Sequence, residues 1–339
     1  MMKAVVIGVG RMGRRHVQVV MDMGISIAGV CDQAQESLNE CRKEFNLSPD
    51  QLFCDAAEML KATKPECVII ATTSPTHCEY TCLAAELGAK FILCEKPMAV
   101  SLEQCDRMIE TCKKNNATLA INHQMRFMEQ YTEPKQMMQS ESYGGLSSIT
   151  VVAGNFGLAM NGTHYFEMFH FMTDEDPFEV TAWFSSEKVP NPRGAHFEDR
   201  AGSVRVTTRS GKRFYLEVSA EQGHGVTAIY AGRNGQVFID ELHGIMHACV
   251  RKAEDRNLPT TRYGTLSDLQ EKSIQPADAI SPTKSVLNAL ITKNNYPSGD
   301  DGRLAVATLV AAYHSHEHGH IPVTVDDPVL PLEQVFPWA

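Results

Sequence analysis

Apolar residues in the first 122 positions fall into short unbroken runs, and between the runs they recur every three or four positions. The runs are Lys3–Ile7, Ile25–Cys31, Leu52–Cys54, Cys67–Ala71, Phe91–Cys94 and Thr118–Ile121. Strands without polar alternation are covered on both faces, as in a parallel sheet. The intervening stretches Arg14–Met23, Gln35–Phe45, Ala56–Ala62, His77–Leu87 and Leu102–Lys114 have helical spacing, and Ser101 with Gln104 predicts an N-cap for the last of them. The alternation predicts an α/β domain over residues 1–122, a doubly wound parallel sheet of the Rossmann type.

After Asn122 the pattern changes. Gly145–Phe156 reads as a strand and Asn161–Met172 as a helix. Ser203–Thr208 and Phe214–Ala220 then flank Ser210-Gly211, and Val226–Ala231 and Gln236–Asp240 flank Asn234-Gly235, a hairpin pattern. These predict an α+β second domain over residues 123–339, with an open-faced, mainly antiparallel sheet in meander order. Residues 253–283 are polar and predict a long loop, and Leu304–His318 predicts a last helix stopped by Gly319. An open sheet leaves a broad face to be covered, so a homodimer or homotetramer is expected.

Composition narrows the function classes. The 339 residues suffice for two domains, with 43% hydrophobic and 21% charged residues. A net charge of −10 argues against nucleic acid or an anionic membrane as main partner. No signal-peptide pattern and no run of 18 apolar residues is present, so the expected location is the cytoplasm. Nine of the ten cysteines precede residue 113 without a Cys-x-x-Cys pair, which predicts buried free thiols in a reducing compartment. Cys78 and Cys82 share a helix face without a third ligand nearby, and His314, His316, His318 and His320 gather near a helix end. No metal site is expected from either group.

The chemistry begins at Gly8-Val9-Gly10-Arg11-Met12-Gly13, directly after the first apolar run. Gly8 permits a sharp turn, Gly10 leaves room for a pyrophosphate, and Gly13 lets the following helix lie close to the sheet. Asp32 ends the second run, 19 residues beyond Gly13, where a carboxylate takes the adenosine ribose hydroxyls. Gln33 follows it and no cation precedes Arg42, so NAD is expected over NADP. Lys96 follows the fifth run in Glu95-Lys96-Pro97, and a strand's carboxyl end is where ligands sit in such sheets. A lysine held there suits proton handling, and a cis Lys–Pro bond is expected.

Together, the glycine loop, Ala71-Thr72-Thr73-Ser74-Pro75 with His77, Glu95-Lys96-Pro97, and Asp301-Gly302-Arg303 at the last helix make the chain similar to the Gfo/Idh/MocA family of oxidoreductases. The resemblance implies an NAD(P)-dependent dehydrogenase or reductase acting on CH–OH groups of sugars, inositols, sugar acids or nucleotide sugars. It implies that Lys96 is the catalytic lysine and that Glu95 lies near the nicotinamide ribose. Thr72, Ser74, Pro75 and His77 would line the cofactor pocket, with Arg126 near the substrate or the domain junction. His164 occupies the family's histidine position and would be the base. The family's aspartate, four residues earlier, is Met160 here, and the adjacent Asn161 would orient substrate or cap the helix. The alternative left by that exchange is a non-catalytic, dinucleotide-binding regulatory protein on the same scaffold.

Overall fold

The computed structural model describes residues 2–154, 156–259 and 264–339. Two compact units emerge. The first comprises 1–124, 279–306 and 331–339, and the second 125–278 and 307–330. The sequence boundary at 122/123 had assigned everything after it to the second domain. Asn155, inside the strand expected over 145–156, and residues 260–263, inside the expected 253–283 loop, lie outside the described residues.

The first unit is built on a six-stranded parallel sheet in the order β3-β2-β1-β4-β5-β6. Its strands are β1 (Lys3–Ile7), β2 (Ser26–Cys31), β3 (Leu52–Phe53), β4 (Cys67–Ile70), β5 (Phe91–Cys94) and β6 (Thr118–Ile121). The helices between them are α1 (Arg11–Asp22), α2 (Gln35–Phe45), α3 (Ala56–Thr63), α4 (His77–Glu86) and α5 (Leu102–Lys114). Val5, Val6, Val68, Ile69, Ile92 and Leu93 are fully buried, as unbroken apolar strands between two helical layers require. Ser101 caps α5 by accepting from Gln104 N at 3.2 Å.

The second unit contains α6 (Glu129–Gln139), β7 (Leu146–Gly154), a π-helical turn over Leu158–Gly162, α7 (Thr163–Thr173), β8 (Glu179–Lys188), β9 (Arg200–Thr207), β10 (Arg213–Ser219), β11 (Thr227–Gly232), β12 (Gly235–Asp240), β13 (Ile245–Val250) and β14 (Asp268–Ser273). With β15 (Val323–Thr324) these strands form one nine-stranded sheet, ordered β14-β13-β12-β11-β7-β10-β9-β8-β15. It is two meanders joined through β7, and β7 and β10 pair in parallel. One face is apolar: Ile149, Val151, Val206, Phe214, Leu216 and Ile239 are buried, and Phe166 and Phe169 of α7 pack on Phe214. The other face carries Trp183, 49% exposed, and Tyr215, 38% exposed. The sheet is therefore open-faced and mainly antiparallel.

The polar stretch 253–283 is not loop throughout. It contains β14, exposed along its length and paired with β13, and the first turn of α8 (Ile280–Thr292). An edge strand with one apolar residue, the exposed Leu269, carries no hydrophobic period, so the sequence pattern could not separate it from loop. Helix α9 (Gly299–Glu317) also begins earlier than Leu304. Ser298 and Asp301 cap it reciprocally: Asp301 N donates to Ser298 Oγ at 3.1 Å and Ser298 N to Asp301 Oδ2 at 2.9 Å. A Cβ on Gly302 would come within 2.4 Å of Ile121 Cγ1, which explains glycine there. Among the described residues no helix is long and apolar enough to cross a membrane.

Candidate active site residues in each unit

In the first unit the glycine loop has the three properties that dinucleotide phosphates demand. Gly8 has φ +85°, and a Cβ there would meet the Ala71 carbonyl carbon at 2.8 Å. At Gly13 a Cβ would lie 1.8 Å from Gly8 O, so only glycine lets α1 start this close to the turn. At Gly10 a Cβ would meet nothing within 4 Å, leaving open space before the N-terminus of α1. That terminus has no side-chain cap and no acidic residue in its first turn, so the N–H groups near Arg11 and Met12 are left for an anion. These features fit a pyrophosphate.

Asp32 stands at the end of β2, partly exposed. Its Oδ2 accepts from Val9 N at 2.8 Å and its Oδ1 from Ala34 N at 2.9 Å. The carboxylate is thereby fixed to the glycine loop itself, and no cation stands beside it in sequence before Arg42.

The turn after β5 is held from three sides. The Lys96–Pro97 bond is cis. Glu95 is buried, and its Oε1 receives His16 Nε2 at 2.7 Å and Asn122 Nδ2 at 2.9 Å, while Lys96 N donates to Oε2 at 3.3 Å. Burial alone would raise the Glu95 carboxyl. The hydrogen bond and charge of His16, the charge of Lys96 and the bond from Asn122 outweigh it and hold the group well below the usual carboxylate range. Glu95 is thus an internal anion joining α1, β6 and the backbone of Lys96. His77 is fully buried, with Nδ1 2.9 Å from Pro97 O and Nε2 3.2 Å from Thr72 O. Its ring ties the Lys96 turn to the turn after β4. In that turn Thr76 Oγ1 donates to Thr72 Oγ1 at 2.8 Å, Ser74 is buried and Pro75 is exposed. Lys96 itself is half-buried.

In the second unit, His164 lies in the first turn of α7 and is 9% exposed. Asn161 and Met160 sit in the π-helical turn before it, each partly exposed. Arg126 is buried, and its Nε donates to Glu167 Oε1 at 2.9 Å, with a second, shorter bond to the same oxygen. Arg126 therefore braces α7 one turn beyond His164, and its guanidinium stacks 5.6 Å from the Phe171 ring. Sequence reasoning missed Asp199. This buried carboxylate accepts from Ala159 N at 2.8 Å and Met160 N at 2.9 Å, and a Cβ on Gly157 would come within 2.1 Å of its Cγ. It lies 35 positions after His164, ahead of β9 and outside any motif, so nothing local marked it. His16 and Asn122 were missed for the same reason.

Residues 2–123 match the model of the Gfo/Idh/MocA oxidoreductase family, which has an NAD-binding Rossmann fold. Along 95% of its length the chain is 26% identical to an inositol 2-dehydrogenase of Salmonella paratyphi B, aligned over 96% of that protein. An oxidoreductase from Agrobacterium radiobacter, solved with NAD+, L-tartaric acid and magnesium, superposes with a TM-score of 0.79 at 18% identity, covering 96% of this chain and 98% of that one. A super-repressor mutant of Gal80p from Saccharomyces cerevisiae superposes with a TM-score of 0.76 at 12% identity, covering 96% and 97%. The fold is therefore shared by an oxidoreductase and by a repressor, and the choice among roles rests on the residues.

Proposed function

We propose, for a chain that carries the NAD-binding Rossmann domain of the Gfo/Idh/MocA oxidoreductase family, that it is an NAD-dependent oxidoreductase for a secondary alcohol or ketone carbon of a sugar-like polyol. The observation that carries the reading is Lys96, half-buried at the carboxyl end of β5 on a turn fixed by Glu95 and His77. The polyol class is suggested by the Salmonella relative's name, inositol 2-dehydrogenase.

When bound, NAD supplies the carbon that accepts or returns a hydride. The loop Gly8–Gly13 and the start of α1 would hold its phosphates, and Asp32 its adenosine ribose. Thr72 and Ser74 belong to the same cofactor side. Lys96 Nζ would hydrogen-bond the reacting oxygen and stabilise negative charge on it. His164 would take the hydroxyl proton during oxidation and return it during reduction. Asp199 and the Arg126–Glu167 pair act as positioning groups for the turn and helix that bear Asn161 and His164. Glu95 and His77 do the same for Lys96. We assign the second domain to substrate binding and to assembly of copies.

Met160 favours one second reading, nucleotide binding without turnover, because a thioether moves no proton. One experiment separates the two. The nucleotide that copurifies is identified, and NADH formation is followed over inositols, aldoses and sugar acids. Turnover that falls about 10²-fold or more in both Lys96→Ala and His164→Ala, with NAD affinity retained, supports catalysis through these residues. Tight NAD binding with no turnover on any substrate in either direction favours the regulatory reading. Near-normal kcat in His164→Ala removes it as the base.

A further inference from the structure

The second unit buries a carboxylate, Glu241, that the proposed chemistry does not use. Glu241 follows β12, and its N donates to Val226 O at 3.1 Å, which ties it to the start of β11. Tyr131 of α6 donates to its Oε1, and Tyr165 of α7 donates to Oε2 at 3.4 Å. The neighbouring Asp240 serves other groups, accepting from Leu242 N, His243 N and the His243 ring. Tyr230 of β11 lies within electrostatic reach of Glu241, and its fully buried hydroxyl has no hydrogen-bond partner among the described residues. A carboxyl and three hydroxyls in a buried space cost desolvation that apolar side chains would avoid. What the polar set adds is direction, because a hydrogen bond fixes an angle that packing alone leaves loose.

Tyr165 directly follows His164 in the first turn of α7. Consecutive helical side chains point about 100° apart, and residues three apart about 60° the other way. The Glu241 bond at Tyr165 and the Arg126 bond at Glu167 therefore grip α7 on opposite sides of His164. Asp199 holds the turn that enters the helix. Phe156, between β7 and that turn, stacks on the Tyr165 ring at 5.8 Å with planes 2° apart, so the ring plane is fixed as well as the hydroxyl.

We propose that Glu241 is a positioning residue for His164: through Tyr165 it sets the rotation of α7 about its axis, and so the direction of the imidazole. The proposal rests on the reading of His164 as the base. With Arg126 alone the helix would be gripped on one side and free to turn; the bond at Tyr165 closes the other side. Tyr131 occupies the second carboxyl oxygen and holds Glu241 between the two helices.

Tyr165→Phe deletes the hydroxyl and keeps the ring on Phe156, so it isolates the bond and spares the packing. Two readouts are taken on the full chain. Diethyl pyrocarbonate acylates neutral imidazoles, and peptide mass spectrometry gives the rate at His164 against that at His318, an exposed internal standard. The kcat and KM are measured on whichever of the inositols, aldoses and sugar acids turns over. In Tyr165→Phe the relative rate at His164 should rise severalfold. There kcat should fall about tenfold, with KM and NAD affinity within about twofold, because a misplacement of about 1 Å costs up to ~10²-fold and two braces remain. Glu241→Leu, which releases both tyrosines, should behave in the same way. Glu241→Gln, whose amide can bond both tyrosines, should return both readouts to within about twofold of wild type. A carboxylate that only supports the fold would lower the melting temperature in Tyr165→Phe and Glu241→Leu, yet leave kcat and the His164 rate, taken below that temperature, at wild-type values; that result overturns the proposal. If the wild type turns over none of the compounds, the reading of His164 as the base fails, and the reagent rates alone decide whether Glu241 directs its ring.

Discussion

Glu241 offers a sharp test of how the second unit treats a buried charge. It follows β12 and is 7% exposed; Tyr131 of α6 donates to its Oε1, and Tyr165 of α7 donates to Oε2 at 3.4 Å. Burial raises the carboxyl from 4.5 to about 7, Asp240 adds to the rise, and the two tyrosine hydroxyls oppose it without cancelling it. The folded value thus exceeds the unfolded one. The group's contribution to stability is whole below about pH 4.5, declines as pH rises toward 7, and is lost above that. A rise of this size corresponds to about 3 kcal/mol. Glu241→Gln keeps the shape and cannot ionise; its amide oxygen accepts from Tyr131 and its amide nitrogen donates to the Tyr165 oxygen instead, so its stability should come close to wild type near pH 5. At pH 8 the variant should exceed wild type by about 3 kcal/mol relative to that comparison. Urea denaturation of both proteins at pH 5 and pH 8, followed through Trp183 fluorescence, gives the double difference directly. A double difference under about 1 kcal/mol would refute the reasoning, because the carboxyl would then be ionising at little cost.

Three further outcomes are expected. NAD should bind at least tenfold more tightly than NADP, about 1.4 kcal/mol, by calorimetric titration, and Asp32→Ala should erase most of that preference. Gly13→Ala should abolish NAD binding and lower thermal stability, because its Cβ would overlap Gly8 O; unchanged binding would mean that α1 does not start where described. The open sheet face with Trp183 and Tyr215 should be covered by another copy, so light scattering should report a dimer or tetramer, and a monomer at micromolar concentration would exclude it.

The parallel sheet was legible because buried strands write themselves as unbroken apolar runs; β1, β5, β6, α2 and α5 match residue for residue. Gly8 and Gly13 were legible because the backbone there admits no side chain, and Gly10 and Asp32 were read from their spacing to those two. Strand β14 was hidden because an exposed edge strand has no apolar face. Asp199, His16 and Asn122 were hidden because each works through a partner far away in sequence. A buried carboxylate can be paired by any donor that the fold delivers, and one sequence does not announce which. Glu95 shows the same limit. Both its oxygens accept from groups that no motif announced, His16 and Asn122 on one and Lys96 N on the other.

The three-part construction of the first unit bears on how the chain acquires its fold during synthesis. Trp338 is fully buried in that unit, Phe336 N donates to Val100 O at 2.8 Å, and Glu103 N to Leu332 O at 2.9 Å. The nucleotide-binding unit therefore closes with residues that a ribosome adds only after the whole second unit has been made. A nascent chain paused anywhere before residue 331 would display an incomplete nucleotide fold, and a fragment ending at 122 would lack both α8 and this closing segment. Removal of residues 331–339 would accordingly expose the flank of α5 and weaken the unit that begins the chain.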